Sequence, residues 1–99
     1  MIVITRHTVD PADAEDFTAR AAEALRVLGA RPGFISSRVG RAADDPGLWT
    51  VVTEWEGAGH YRRALSDFEV KTAAVPLLAT ALDEPSAYEI VSVPTPGCG

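Results

Sequence analysis

The sequence predicts a single α+β domain: a four-stranded antiparallel sheet with helices on one face, in the ferredoxin-like order βαββααβ. Three observations predict it. Four runs rich in β-branched and aromatic residues alternate at period two. Apolar stripes at helical spacing lie between them, and Asp44-Asp45-Pro46-Gly47 joins the second and third runs by a tight turn. The strand–helix–strand unit therefore occurs twice, the split βαβ pattern.

The first strand is expected over Ile2 to Val9, with Ile2, Ile4 and Arg6 on one face and Val3, Thr5, His7 and Val9 on the other. Asp10 followed by Pro11 is a helix start, and Ala14, Phe17, Ala21, Leu25 and Leu28 form the inner stripe of the first helix up to Gly29. Pro32-Gly33 turns the chain into a second strand, Phe34 to Gly40, with Phe34, Ser36 and Arg38 on one face. The third strand, Leu48 to Trp55, carries Trp49, Val51, Thr53 and Trp55 on one face. A second helix follows Gly57 and Gly59, with Tyr61, Ala64, Leu65 and Phe68 as its inner stripe; Asp67 is placed to break or recap it. A further helical segment spans about Glu69 to Leu82, where Pro76 kinks or restarts it. Ser86 to Val93 reads as the last strand. The domain thus occupies residues 1–93, and 94–99 reads as a flexible tail.

Bulk properties bound the function. The chain has 99 residues, 46% hydrophobic and 23% charged, with a net charge of −5. That acidity disfavours a phosphate track for nucleic acid and an anionic membrane surface. No run approaches the ~20 apolar residues of a membrane span. Absence of a signal-peptide layout and the lone Cys98 point to a cytoplasmic protein without an intrachain disulfide. No Cys/His zinc spacing, GxGxxG or P-loop occurs, so neither a metal nor a nucleotide cofactor is expected. Both faces of the strands carry apolar residues, Ile2 and Ile4 against Val3 and Val9, and Val51 against Val52. Helices cover one face only, so the other is expected to pack against a second copy, giving a homodimer with a barrel-like centre.

Arg31-Pro32-Gly33-Phe34 opens the second strand, Val52-Thr53-Glu54-Trp55-Glu56 closes the third, and Ser66-Asp67-Phe68 and Pro76 follow. In that order and spacing, over roughly Ile2 to Val93, the chain resembles the antibiotic biosynthesis monooxygenase group of dimeric α+β barrel proteins. The resemblance implies a homodimer with a pocket between sheet and helices in each subunit. It spans several activities: cofactor-independent oxygenases of aromatic polyketides, haem-degrading enzymes and proteins without known activity. In quinone-forming oxygenases of the actinorhodin type, a tryptophan ending strand three and a tyrosine six residues later face the substrate; Trp55 and Tyr61 stand at that spacing. Their asparagine four residues before the tryptophan is Val51 here. In haem-degrading members an asparagine, a tryptophan and an axial histidine fall where this chain has His7, Ala64 and Ala74.

A cofactor-free oxygenase holds a flat, electron-rich phenol or anthrone, removes a proton and lets the carbanion reduce molecular oxygen, the co-substrate. Candidate catalytic groups are Tyr61 and Trp55, with His60 or His7 as proton acceptor. Candidate substrate contacts are Trp55, Trp49, Arg38, Phe17 and Phe68. Each has a competing structural role. Trp55 and Tyr61 suit core packing, Trp49 suits an edge or dimer contact, and His60 suits a solvated helix flank. His7 suits a dimer interface, and Arg38 suits pairing with Glu54 or Glu89. The leading reading is a monooxygenase of an aromatic polyketide-like or quinol substrate; the alternative is a non-catalytic small-molecule-binding or accessory dimer on the same fold.

Overall fold

Strand β1, Ile2–Thr8, is buried on one side only: Val3, Thr5 and His7 face the protein and are at most 6% exposed. That alternation is the period-two pattern of the sequence. The computed structural model describes residues 1–94, so the expected tail lies outside the described residues from residue 95 onward. A 3₁₀ turn, Pro11–Asp13, precedes helix α1, Ala14–Gly29, and Asp10 Oδ1 accepts from the Ala12 N–H at 2.9 Å. Helix α1 buries Phe17, Ala21, Ala24, Val27 and Leu28, so the stripe is rotated slightly from the expected one: Leu25 is only half-buried.

Strands β2, Phe34–Ala42, and β3, Asp45–Trp55, form the expected antiparallel hairpin. The turn sits at Ala43-Asp44, earlier than the Asp-Pro-Gly sequence suggests, and Ala42 pairs with Asp45. A register shift between Phe34 and Ser36 has a larger effect. Phe34 pairs with Trp55, but Ser36 pairs with Glu54 and Arg38 with Val52. The bulge therefore moves Ser36 and Arg38 to the opposite face from Phe34, contrary to strict alternation.

Helix α2, Ala58–Leu65, ends at Ser66, and Asp67 restarts the chain by accepting from the Val70 N–H at 3.2 Å. Helix α3 covers Phe68–Ala73 and α4 covers Val75–Leu78, restarted at Pro76 as expected but ending short of the expected Leu82. The sheet order is β2-β3-β1-β4 with all neighbours antiparallel, the ferredoxin-like topology. The last strand, β4, is only Ala87–Tyr88, shorter than the Ser86 to Val93 expected. The reason is geometric: Tyr88 pairs with Ile2, where β1 begins, so the chain beyond has no partner strand. In the other direction the edge of β1 is occupied, because Leu82 N–H donates to Arg6 O at 2.8 Å and Ile4 N–H to Ser86 O at 2.7 Å.

The core lies between the sheet and the helices: Val3, Val51 and Trp55 from the strands, Phe17, Ala21, Ala24 and Leu28 from α1, and Ala64, Val70, Ala74 and Leu77 from the later helices. Ala64 and Ala74 are 2% and 0% exposed and belong to this packed core. No helix among the described residues is long and apolar enough to cross a membrane.

Candidate functional site

Two aromatic runs cross the inner face of the sheet. In one, Trp55 meets Phe34 edge-on and Tyr61 at a tilt, with ring centroids 5.4 Å away in each case. In the other, His7, Phe17 and Trp49 follow one another at 5.3 and 5.4 Å. These spacings are ordinary for packed aromatic pairs. Trp55 is 1% exposed and its Nε1–H donates to Thr53 Oγ1 at 2.9 Å, so its polar end is satisfied internally. It supports Tyr61 from behind.

Tyr61 is half-buried and reaches open space. It lines a cavity of about 420 Å³ bounded by Ile4 and Thr5 of β1, Leu78 of α4, and the 79–86 segment through Leu82, Asp83, Glu84 and Ser86. The volume falls in the ordinary range for small-molecule pockets, roughly 300–1,000 Å³. Burial raises the Tyr61 pKa above its usual 10.0, so the phenol is neutral and a donor at physiological pH. Its hydroxyl donates to no described residue. Glu84 closes the cavity wall through a bidentate ion pair with Arg6, at 2.6 and 2.7 Å.

His7 is 1% exposed and faces the helices, not the opposite sheet face as an interface role would require. Its Nε2 lies 2.9 Å from Thr5 Oγ1 and its Nδ1 lies 3.0 Å from Thr80 Oγ1. The Thr80 hydroxyl donates to Leu77 O at 2.7 Å, so its oxygen is left to accept from the ring; Nδ1 therefore carries the hydrogen and Nε2 presents a lone pair to Thr5. Burial lowers the His7 pKa below its usual 6.5, because the charged ring loses hydration.

The other sequence candidates are dispersed. Phe17 lies between His7 and Trp49, and neither Phe17 nor Trp49 lines the Tyr61 cavity; Arg41 lies 5.5 Å over the Trp49 ring and a hollow of about 490 Å³ runs along α1. Arg38 lies on the uncovered sheet face beside Val52, carried there by the bulge. Phe68 is 81% exposed at the start of α3, because the Asp67 cap breaks the helix before it and ends the expected stripe. His60 packs against Gly33 and contacts Arg63 Nη2 at 3.3 Å, away from the cavity. Thr5 and Thr80 were not singled out by sequence. Thr5 shares the strand face of His7, a legible signal; Thr80 follows no pattern and is brought in by the turn after α4. Among the described residues no group of three or more His, Cys, Asp or Glu is arranged to hold a metal.

The sequence pattern of the antibiotic biosynthesis monooxygenase family matches residues 1–75. Curated proteins give no match. Solved structures share the fold. SnoaB, a cofactor-independent oxygenase from Streptomyces nogalater, is similar over 93% of both chains at 23% identity and a TM-score of 0.76. A conserved protein from Methanosarcina mazei matches over 87% of this chain and 84% of its own, at 21% identity and 0.70. A protein of unknown function from Bacteroides thetaiotaomicron matches over 82% and 86%, at 11% identity and 0.70.

Proposed function

From the premise that this chain belongs to the antibiotic biosynthesis monooxygenase family, we propose that it is a cofactor-independent monooxygenase of a flat phenolic, anthrone-like or quinol substrate bound in the Tyr61 cavity. The observation that carries this reading is Tyr61, with its phenol kept neutral by burial, in the wall of a cavity large enough for a small polycycle. Asp83 and Glu84 in the same wall favour a substrate that enters uncharged. Tyr61 then donates to the substrate oxygen that gains charge when a proton leaves. Oxidation of an anthrone methylene to a carbonyl releases four electrons, which reduce one oxygen molecule to the new carbonyl oxygen and one water. The substrate is thus its own reductant, and no cofactor is required. SnoaB supports the same reading as a cofactor-independent oxygenase of the same fold.

The working unit in this reading is a cytoplasmic homodimer. Support comes from the sheet face away from the helices, which carries Ile2, Ile4 and Val52, and from Ile35 at 51% exposure. Burying such a patch stabilises association by roughly 25 cal/mol per Å² of apolar area. A non-catalytic binding dimer is favoured by one observation, the buried apolar Val51 in place of the oxygenase asparagine.

Oxygen uptake by metal-stripped protein, measured with a panel of anthrones and hydroquinones, separates the two. The oxygenase reading expects uptake equimolar with quinone formed, and a Tyr61→Phe variant that keeps its melting temperature but loses about 10-fold or more in kcat. Ligand binding without uptake by the wild type assigns the binding role instead.

A further inference from the structure

One residue, Thr5, belongs both to the cavity wall and to the hydrogen-bond partners of the buried histidine. Thr5 lines the cavity and is only 6% exposed, and its Oγ1 is 2.9 Å from the His7 Nε2 lone pair. Its alternative acceptor, Val51 O, is 3.4 Å away and is the weaker bond. On the other side the ring is fixed by Thr80, whose own hydroxyl is committed to Leu77 O. Tautomer and ring orientation are therefore both set, with the basic nitrogen aimed at Thr5. A buried histidine with no role would need only satisfied hydrogen bonds; this one also has a route to the cavity.

The geometry points to Thr5 as a proton relay that makes His7 the proton acceptor for a molecule in the Tyr61 cavity. This rests on the proposed oxygenase site but adds residues and a direction to it. The substrate C–H or O–H proton passes to Thr5 Oγ1 as the Thr5 hydroxyl proton passes to His7 Nε2. The bond from substrate to hydrogen breaks, an N–H bond forms, and the electron pair stays on the substrate as a carbanion or phenolate beside an imidazolium. The imidazolium then donates on both sides, to Thr5 and to Thr80.

The groups that meet the ring are Phe17 from α1, Trp49 from the paired position on β3, Thr80 after α4 and Thr5 on its own strand; none of them ionises near neutrality. The ionisable groups of the cavity are Tyr61 on α2 and Asp83 and Glu84 in the 79–86 segment, with Glu84 paired to Arg6. Only the neutral ring accepts a proton. Its lowered pKa keeps it neutral below pH 6.5, so the acceptor remains competent into mildly acidic solution.

The test is anaerobic exchange of the acidic methylene hydrogens of anthrone in deuterated buffer, followed by NMR. Without oxygen it reads deprotonation alone. The wild type is expected to accelerate exchange, with a rate that holds steady down through pH 6.5 and falls only at lower pH. Thr5→Val is expected to slow exchange by about 10²-fold, and Thr5→Ser to restore most of it, with melting temperatures checked for both. A merely structural Thr5 moves stability, not the pH profile or the serine rescue. Wild-type exchange no faster than buffer, or a Thr5→Val variant at the wild-type rate, overturns the relay. Exchange that depends on Thr5, together with no oxygen uptake in air, supports the relay and overturns the oxygenase reading.

Discussion

Gly33 shows how a single residue constrains the turn into β2. Its φ is +89°, and a Cβ placed there collides with the His60 ring. Gly33→Ala is therefore expected to cost about 1–3 kcal/mol in urea unfolding, from backbone strain and the displaced imidazole. His7 makes a different residue-scale prediction. Its folded pKa lies below the unfolded 6.5, so the unfolded chain binds the extra proton first as pH falls. Stability is expected to be whole above pH 6.5 and to decline from there toward the folded pKa, and His7→Phe should flatten that decline in denaturant titrations. The sign follows from burial, the cause of the lowered pKa.

At the scale of elements, the loop after α4 does more for the cavity than any helix. Backbone bonds from Leu82 to Arg6 and from Ile4 to Ser86 lay it along β1, and the Arg6–Glu84 pair ties it down. That pair is solvent-exposed, and such pairs contribute little to global stability. Glu84→Gln is expected to leave the melting temperature unchanged while raising KM for the cavity ligand, as steady-state kinetics would show. None of this was readable from the sequence, which carries the helical segment on to Leu82 although α4 ends at Leu78, and the partners of this loop lie over 70 positions away. The strands were readable, because burial on one face imposes period two: Val3, Thr5, His7 and Val51, Thr53, Trp55 fell on the inner face as their spacing requires. Arg38 was misplaced because a bulge adds one residue without a composition signal, and Phe68 because one aspartate cap outweighed a continuing stripe. Trp55 and Tyr61 were recognised as a pair, and they do touch; which of them reaches open space depended on packing that spacing does not encode.

For the whole molecule, the helices leave one sheet face and the segment after β4 without cover, with Val91 and Val93 at 93% and 80% exposure. The dimer proposed here predicts a two-chain mass by light scattering at micromolar concentration. Val52→Arg, at the middle of the open face, should shift it to a single-chain mass. A wild-type chain that stays monomeric there would remove the dimer, but not the cavity, which is built entirely within one chain.

In the proposed reaction the space between β1, Tyr61 and the 79–86 segment receives the substrate. A crystal structure with a bound hydroxyanthraquinone, a stable mimic of the oxidised product, tests it most directly. The ring system is expected inside that cavity, with an oxygen within hydrogen-bond distance of Tyr61 and its edge against Thr5. Electron density for the ligand along α1 against Trp49 and Arg41, with the Tyr61 cavity holding only water, would contradict it.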